Sequence, residues 1–334
     1  MRRFDENLVL GRHTMLSVII AVYNEEGTLK KLYAEIKKNI DLLIKEKRID
    51  GYEILFVSDG STDKSEEIIR EVIELDANVK LVCFRRNFGK SKALQFGFKR
   101  ALGDVIITMD ADLQDDPKEF SRFLDKLDEG YDLVSGWKYN RLDPLEKRLP
   151  SKLFNWVISK FSGIAIHDFN CGFKAYRQEV VKSVNVYGEF HRYIPVLAMR
   201  NGFRVTEIPV THHKREFGKS KFGAERYLRG LFDALSAMFL LKYWDRPMYF
   251  FGKIGLMLFL LGFLICLYLS ILWFGGESIG QRPLLILGVL FILVGVQSVS
   301  LGLIANIIVD QSGGRRENEL CVREIVGRKT DDRI

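Results

Sequence analysis

The sequence predicts an α/β domain wound on both faces of a mostly parallel sheet, followed by a two-helix membrane hairpin. Three observations predict it. Four short, apolar, β-branched runs each lead into a segment long enough for a helix. Each run stops at a cluster of polar residues, and from about residue 247 charged residues almost disappear.

The run LSVIIAV (16–22) stops at Tyr23-Asn24-Glu25-Glu26 and gives way to helix-patterned residues up to about Lys47. YEILFVS (52–58) ends in Asp59-Gly60-Ser61-Thr62-Asp63 and a second helix. VKLVCFR (79–85) ends at RNFGKSKA, where Gly89 reads as a helix start that lets backbone approach a ligand, and a helix reaches Arg100. DVIITMD (104–110) runs into TMDADLQDDP (108–117), which carries Asp110, Asp112, Asp115 and Asp116 before Pro117 opens a helix. Strands without alternation suit a sheet covered on both faces, and intervening helices make neighbouring strands parallel. Ligands of such sheets bind outside the carboxyl ends of the strands. Glu25, Asp59, Asp110 and Asp112 are therefore expected in one crevice.

With 334 residues, 47% of them hydrophobic, and a formal charge of +7, the chain is too apolar for a disordered protein. It is also too weakly basic to imply nucleic-acid binding, and basic residues beside a membrane account for the excess. Cys83, Cys171, Cys266 and Cys321 show no CxxC spacing, which fits a reducing compartment and gives no zinc pattern. MRRFDENLVLGRHTM lacks the apolar core of a signal peptide. No GxGxxG follows the first strand and no GxxxxGK[ST] is present; acidic groups stand where those folds place glycines. That pattern suits a nucleotide held through a metal and through base and ribose contacts.

Ile254 to Phe274 form 21 uncharged residues, roughly 32 Å as a helix, and Leu284 to Val309 form 26, enough to span a bilayer with some tilt. GGESIGQRP joins them and carries a single arginine. Lys242, Arg246 and Lys253 precede the pair, and Arg315, Arg316, Arg323, Arg328 and Lys329 follow it. The positive-inside rule puts both ends, and the N-terminal domain, in the cytoplasm. Gly288 and Gly295 give the hairpin a small-residue face through which copies of the chain can associate.

A hard divalent cation takes oxygen ligands, and Mg²⁺ commonly binds one or two carboxylates plus substrate phosphates. Asp110 and Asp112, one residue apart at a strand end, aim at one ion, and Gln114 continues the two-residue step with a neutral oxygen. Asp115 and Asp116 read as helix N-caps before Pro117. KREFGKSKFG (214–223) intersperses cations with glycine and serine, as a mobile loop does that closes on phosphate or rests on anionic lipid. His212 and His213 beside it read as ordinary strand-edge or loop residues. Residues 151–166 and 226–246 have the apolar faces of interfacial helices, although the first fits packing within the domain equally well.

VIIAVYNEE, VSDGSTD, RNFGK, MDADLQDDP, DFNCGFKAY and REFGKSK, in this order over about residues 15–230, resemble glycosyltransferase family 2. More narrowly, they resemble its dolichyl- and polyprenyl-phosphate sugar synthases, such as the dolichol-phosphate mannosyltransferases and bactoprenol glucosyltransferases. The resemblance implies an A-type glycosyltransferase fold, a nucleotide-sugar donor, and Mg²⁺ or Mn²⁺. It implies donor contacts from Ala21, Tyr23, Glu25, Val57 and Asp59, and a metal motif of Asp110, Ala111 and Asp112 with Gln114 as a further ligand. Lys138, in VSGWKY, stands where some members have arginine, and Arg215 and Lys221 match the basic loop that closes on the phosphates. Asp168 matches the acid of a D-x-x-x-G-F segment whose role varies among relatives; with Asp112, Arg215 and Lys221 it is an expected catalytic residue. Two positions depart from the pattern: Ala21 replaces a frequent proline, and Ser58 replaces the first of a frequent Asp pair.

The activity so implied is inverting transfer of a hexose from a UDP-glucose or GDP-mannose type donor to a dolichyl or undecaprenyl phosphate at the cytoplasmic membrane face. The implied organisation is an extension (1–14), a catalytic domain (15–225), a juxtamembrane interfacial helix (226–247), a hairpin (248–310) and a basic cytoplasmic tail (311–334). A processive polysaccharide synthase would carry a Q-x-x-R-W signature and more spans. Transfer to another membrane glycolipid, or a non-catalytic membrane scaffold, are the alternatives.

Overall fold

The computed structural model describes residues 13–139, 166–188, 190–213, 239, 243, 246–279 and 283–313, and the chain divides into two compact units, Met1–Ala234 with Glu319–Ile334 and Leu235–Asn318. The expected interfacial segments fall mostly outside the described residues, as do Arg215 and Lys221.

In the first unit the order is β1 (His13–Val22), α1 (Leu29–Lys45), β2 (Ile49–Ser58), α2 (Ser65–Leu75), β3 (Val79–Cys83), α3 (Lys90–Arg100), β4 (Val105–Asp110), a 3₁₀ turn (Pro117–Glu119) and α4 (Phe120–Asp128). There follow β5 (Leu133–Trp137), β6 (Lys174–Arg177), α5 (Gln178–Ser183), α6 (Ile194–Arg200) and β7 (Val205–Pro209). The sheet order is β3-β2-β1-β4-β6-β5-β7; β6 runs antiparallel to both neighbours and every other pair is parallel. The four expected strands are present. β1 and β2 begin before their apolar runs because the ladder continues to His13 opposite Ile49.

Burial explains the missing alternation. Val18, Ile20 and Val22 pack with Ile36 of α1, Ile69 of α2 and Phe123 of α4 on one face. Ile19, Leu55 and Val57 pack with Leu94 and Phe98 of α3, Val180 of α5 and Ile194 of α6 on the other. Every core residue of a strand therefore has an apolar neighbour, whichever side it points to.

The second unit holds α7 (Met248–Phe274) and α8 (Pro283–Gly313). Only 17% and 11% of their most apolar stretches are buried, whereas a core helix of a soluble protein would be mostly enclosed. They pack antiparallel along glycines. A Cβ on Gly262 would lie 2.5 Å from the Gly288 carbonyl oxygen, and one on Gly255 would lie 2.7 Å from that of Gly295. Gly288 and Gly295, the small-residue face through which copies of the chain were expected to associate, make close contact within the hairpin.

Below the strand ends, Glu53 of β2 (1% exposed) accepts hydrogen bonds from Ser17 Oγ (2.6 Å), the Leu102 amide (2.7 Å) and Lys80 Nζ (2.8 Å). It ties β1, β3 and the turn before β4 to β2. Burial alone would raise its pKa, but these donors outweigh burial and lower it below the ordinary 4.5. Its contribution to stability is therefore complete above that value and is lost as pH falls through the lower folded-state pKa. Glu53→Gln should cost about 1–2 kcal/mol at neutral pH. Thermal melts of the two proteins should differ at pH 7 and converge in acid.

Candidate active site

Backbone register sets the site. Ala21 pairs with Val57 on one side and Asp110 on the other, so β2, β1 and β4 deliver their terminal residues in one row. Val57 is fully buried among the apolar residues on the α3 side of the sheet, which leaves only its backbone for a ligand.

The turns beyond this row are stitched together. Asn24, in the left-handed region (φ 56°), accepts the Thr62 amide at 2.8 Å and donates its own amide to Ser61 Oγ. The Glu25 amide donates to Ser65 Oγ at 2.9 Å, next to Tyr23 at the end of β1. Asp59 accepts the amides of Phe88 (2.7 Å) and Gly89 (2.9 Å), one on each oxygen. The side chain expected on base or ribose thus grips the RNFGK turn. Gly60 (φ 72°) admits no substitute, since a Cβ would lie 2.4 Å from the Arg86 backbone. Thr28 Oγ1 donates to the Ala111 carbonyl at 2.7 Å and fastens the metal-motif turn to the start of α1.

At the end of β4, Asp110 forms an ion pair with Lys90, the first residue of α3. Leu113 adopts φ 61° and reverses the chain. Asp112, buried, accepts the Gln114 amide at 3.3 Å. Asp115 (2% exposed) accepts the Asp110 amide at 3.2 Å and lies 3.6 Å from Lys138 Nζ. The reading of Asp115 as a helix cap is therefore corrected: the left-handed Leu113 folds the chain back, and its carboxylate points under β4. Asp116 does cap, accepting the Lys118 amide at 3.0 Å.

The charges respond to this crowding. Burial would raise the pKa of Asp110, but Lys90 and Lys138 outweigh it and hold the carboxyl well below the usual range. Asp115 is raised by burial; Lys138 opposes the rise, while Asp110 and Asp112 add to it. Burial would lower Lys138, but Asp115, Cys171 and Asp110 carry it above its ordinary value. Lys174, buried at the start of β6, donates to the Cys171 carbonyl and is lowered by burial. His191, whose ring shares a hydrogen bond with Ser91 Oγ at 2.9 Å, is held well below its ordinary pKa by burial and by Lys90, Arg192 and Lys174.

The acidic turn is also zipped to residues 211–213. The Gln114 carbonyl accepts the His213 amide (2.9 Å), and Gln114 Nε2 donates to the His213 carbonyl (3.3 Å). His213 Nε2 lies 3.2 Å from Asp116, and Glu119 accepts Thr211 N–H and Oγ–H at 3.1 and 2.9 Å. His212 bridges Asp115. These histidines are strand-edge residues, as expected, and they hold the acidic turn. Asp168, buried, accepts the Asn170 amide at 3.1 Å in the turn that presents Gly172.

The residues fit a hard divalent cation. Asp110 and Asp112 supply anionic oxygens, and the Lys90 ammonium on Asp110 marks that carboxylate as one that faces a positive charge. Gln114 uses Nε2 on His213, which leaves its side-chain oxygen for an ion. Among the described residues no three His, Cys, Asp or Glu side chains are grouped to hold a metal; a Mg²⁺ ion held here would take its remaining ligands from phosphate and water.

Lys90, Gly172, Lys174 and His191 are absent from the sequence-derived site. Lys90 and Gly172 lie inside RNFGK and DFNCGF, and their contacts with Asp110 depend on tertiary neighbours. A Cβ on Gly172 would lie 2.7 Å from Asp110 Oδ1.

Comparison with known proteins identifies the family. Residues 17–184 match the model of glycosyl transferase family 2. The dodecaprenyl-phosphate galacturonate synthase of Rhizobium johnstonii is 38% identical over 299 residues, covering 88% of this chain and 87% of that protein. The undecaprenyl-phosphate 4-deoxy-4-formamido-L-arabinose transferase of Pseudomonas paraeruginosa is 36% identical over 295 residues, covering 87% and 84%. A mycobacterial protein of known crystal structure shares the fold, with a TM-score of 0.50 at 19% identity over 67% of this chain and 75% of its own. The protein belongs to glycosyltransferase family 2: it is a glycosyltransferase with an A-type fold, followed by two helices long and apolar enough to cross a membrane.

Gly172→Ala should leave the fold intact, because Gly172 is not among the glycines with positive φ, but should displace the Asp110 carboxylate. Circular dichroism should be unchanged while sugar transfer falls roughly 10–100-fold, the order expected for an ångström-scale misplacement.

Proposed function

We propose that the protein moves a sugar from a nucleotide-sugar to a polyprenyl phosphate at the cytoplasmic membrane face, with Mg²⁺ or Mn²⁺ held by Asp110, Asp112 and Gln114. The observation that carries this is the pair of carboxylates at the end of β4, in a chain whose full-length relatives are polyprenyl-phosphate sugar transferases. Those relatives are named for galacturonate and a formamido-arabinose, so the family resemblance leaves the sugar moved by this chain open.

The difficulty of the reaction is electrostatic. The acceptor phosphate and the donor diphosphate are both anions, and two unit charges 4 Å apart cost about 4 kcal/mol at an effective dielectric of 20. When bound, the cation supplies positive charge against the leaving diphosphate. Arg215 and Lys221, which lie outside the described residues, would add cationic contacts to the diphosphate, as the family resemblance implies. Tyr23, Glu25, Asp59 and the backbone of Ala21, Val57 and Ala111 frame the base and ribose; Asp59 acts through the turn it grips. Lys138 neutralises Asp115 and keeps the acidic turn folded beneath the donor. Asp168 orders the turn on which Gly172 makes room for Asp110. The acceptor, a phosphate monoester with a second pKa near about 6, is mostly dianionic at neutral pH and attacks without an enzyme base. Direct displacement inverts the anomeric centre.

In this reading residues 15–225 are the catalytic domain, 226–247 an interfacial helix and 248–310 the hairpin. The extension 1–14 and the tail 311–334 lie with the domain in the cytoplasm, where the excess of Lys and Arg flanks the spans.

Purified protein with a nucleotide-sugar panel should transfer to a short polyprenyl phosphate, and not to diacylglycerol, only when a divalent cation is present. Asp112→Asn and Arg215→Ala should each reduce turnover at least about 100-fold with membrane attachment unchanged. Product NMR should show inversion; retention, or cation-independent transfer, contradicts the reading.

A further inference from the structure

Lys90 belongs to the RNFGK segment, which the proposed reaction leaves without a chemical role. Its place is tightly specified. Asp59 fixes the two preceding amides, Phe88 and Gly89, and Gly89 (φ 94°) turns the chain into α3. The ammonium then falls on Asp110 Oδ1. Behind Lys90 stand His191, bonded to Ser91 Oγ, and the buried ammonium of Lys174 on the Cys171 carbonyl. Burial lowers the pKa of both, and Lys90 is near enough that its charge helps to lower each. Gly172 crowds the Asp110 carboxylate closely enough that a single methyl would touch it.

The pair is nevertheless open to exchange. The two side chains are 32% and 30% exposed, and lysine is a flexible point charge without the fixed fork of arginine. A doubly charged ion at Asp110 and Asp112 would outcompete a single ammonium for the carboxylate. Displaced Lys90 would then lie beside whatever anion the ion carries.

We propose that Lys90 is the resident counter-ion of Asp110, that a divalent cation displaces it, and that its ammonium then binds the donor diphosphate as a positioning residue. The inference rests on the reading of Asp110 as a cation ligand. One positive charge thereby serves two states: it neutralises the acidic strand end between turnovers, and it holds the leaving group during them.

The test measures Mn²⁺ binding by electron paramagnetic resonance on full-length wild type, Lys90→Met, Lys90→Arg and Asp110→Asn in lipid nanodiscs. UDP and GDP affinities are measured in parallel at saturating Mn²⁺. Lys90→Met, which keeps the aliphatic stem, should bind Mn²⁺ about fivefold more tightly, the scale of losing a partly exposed ion pair. It should bind the nucleotide that wild type prefers about fivefold more weakly. Lys90→Arg should restore nucleotide affinity. Unchanged Mn²⁺ affinity or unchanged nucleotide affinity in Lys90→Met overturns the role of Lys90 while leaving the cation site intact. No Mn²⁺ binding by wild type, or undiminished binding by Asp110→Asn, overturns the reading of the site and this inference with it.

Discussion

Three carboxylates within six residues, Asp110, Asp112 and Asp115, are crowded at the end of one central strand, and the structure around them answers that concentration of charge. A carboxylate taken from water costs several kcal/mol unless charge and hydrogen bonds compensate it. Here the compensation is explicit. Lys138 approaches Asp115, Lys90 pairs with Asp110, and the Asp110 amide donates to Asp115. Leu113 accepts a left-handed backbone so that the chain can fold back on the strand it has just left. The acids are thus compensated by the chain's own groups, at the sheet edge proposed to hold a cation.

The same edge explains why remote segments are joined there. Asp59 fixes the turn that carries Lys90, Thr28 fixes the turn that carries Asp112, and Gln114, Asp116 and Glu119 hold residues 211–213. Each contact links the end of one strand to the start of another element, so the residues of the proposed site share one frame. In the other unit, glycines let two backbones approach at Gly255, Gly262, Gly288 and Gly295. The large apolar side chains are left facing outward, toward lipid in a membrane setting.

Much of this was legible in the residues. The four parallel strands announced themselves because burial on both faces turns each into a continuous apolar run, and the strand-end acids followed from where such sheets bind ligands. β5, β6 and β7 were not legible. β6 is four residues, KAYR, with a cation at each end; only its partners make it a strand, and its Lys174 is buried by tertiary packing. Asp115 looked like a cap because it precedes Pro117, and nothing local warns that a leucine will adopt φ 61°. Asp59 looked like a ligand contact because motifs record residue types and cannot record that both its oxygens are already engaged by backbone twenty-nine and thirty residues away. Lys90 and Gly172 were hidden for the same reason: their significance is the distance to Asp110, a quantity set by the sheet order.

The proposed function stands on a divalent cation at the end of β4, held against the diphosphate of a sugar donor. Its most direct test is the anomalous scattering of Mn²⁺ in crystals of the protein grown with a nucleotide diphosphate. One strong peak bonded to Asp110, Asp112 and the diphosphate oxygens is expected. A nucleotide bound at this sheet edge with Lys90 still on Asp110 and no peak between them would contradict it.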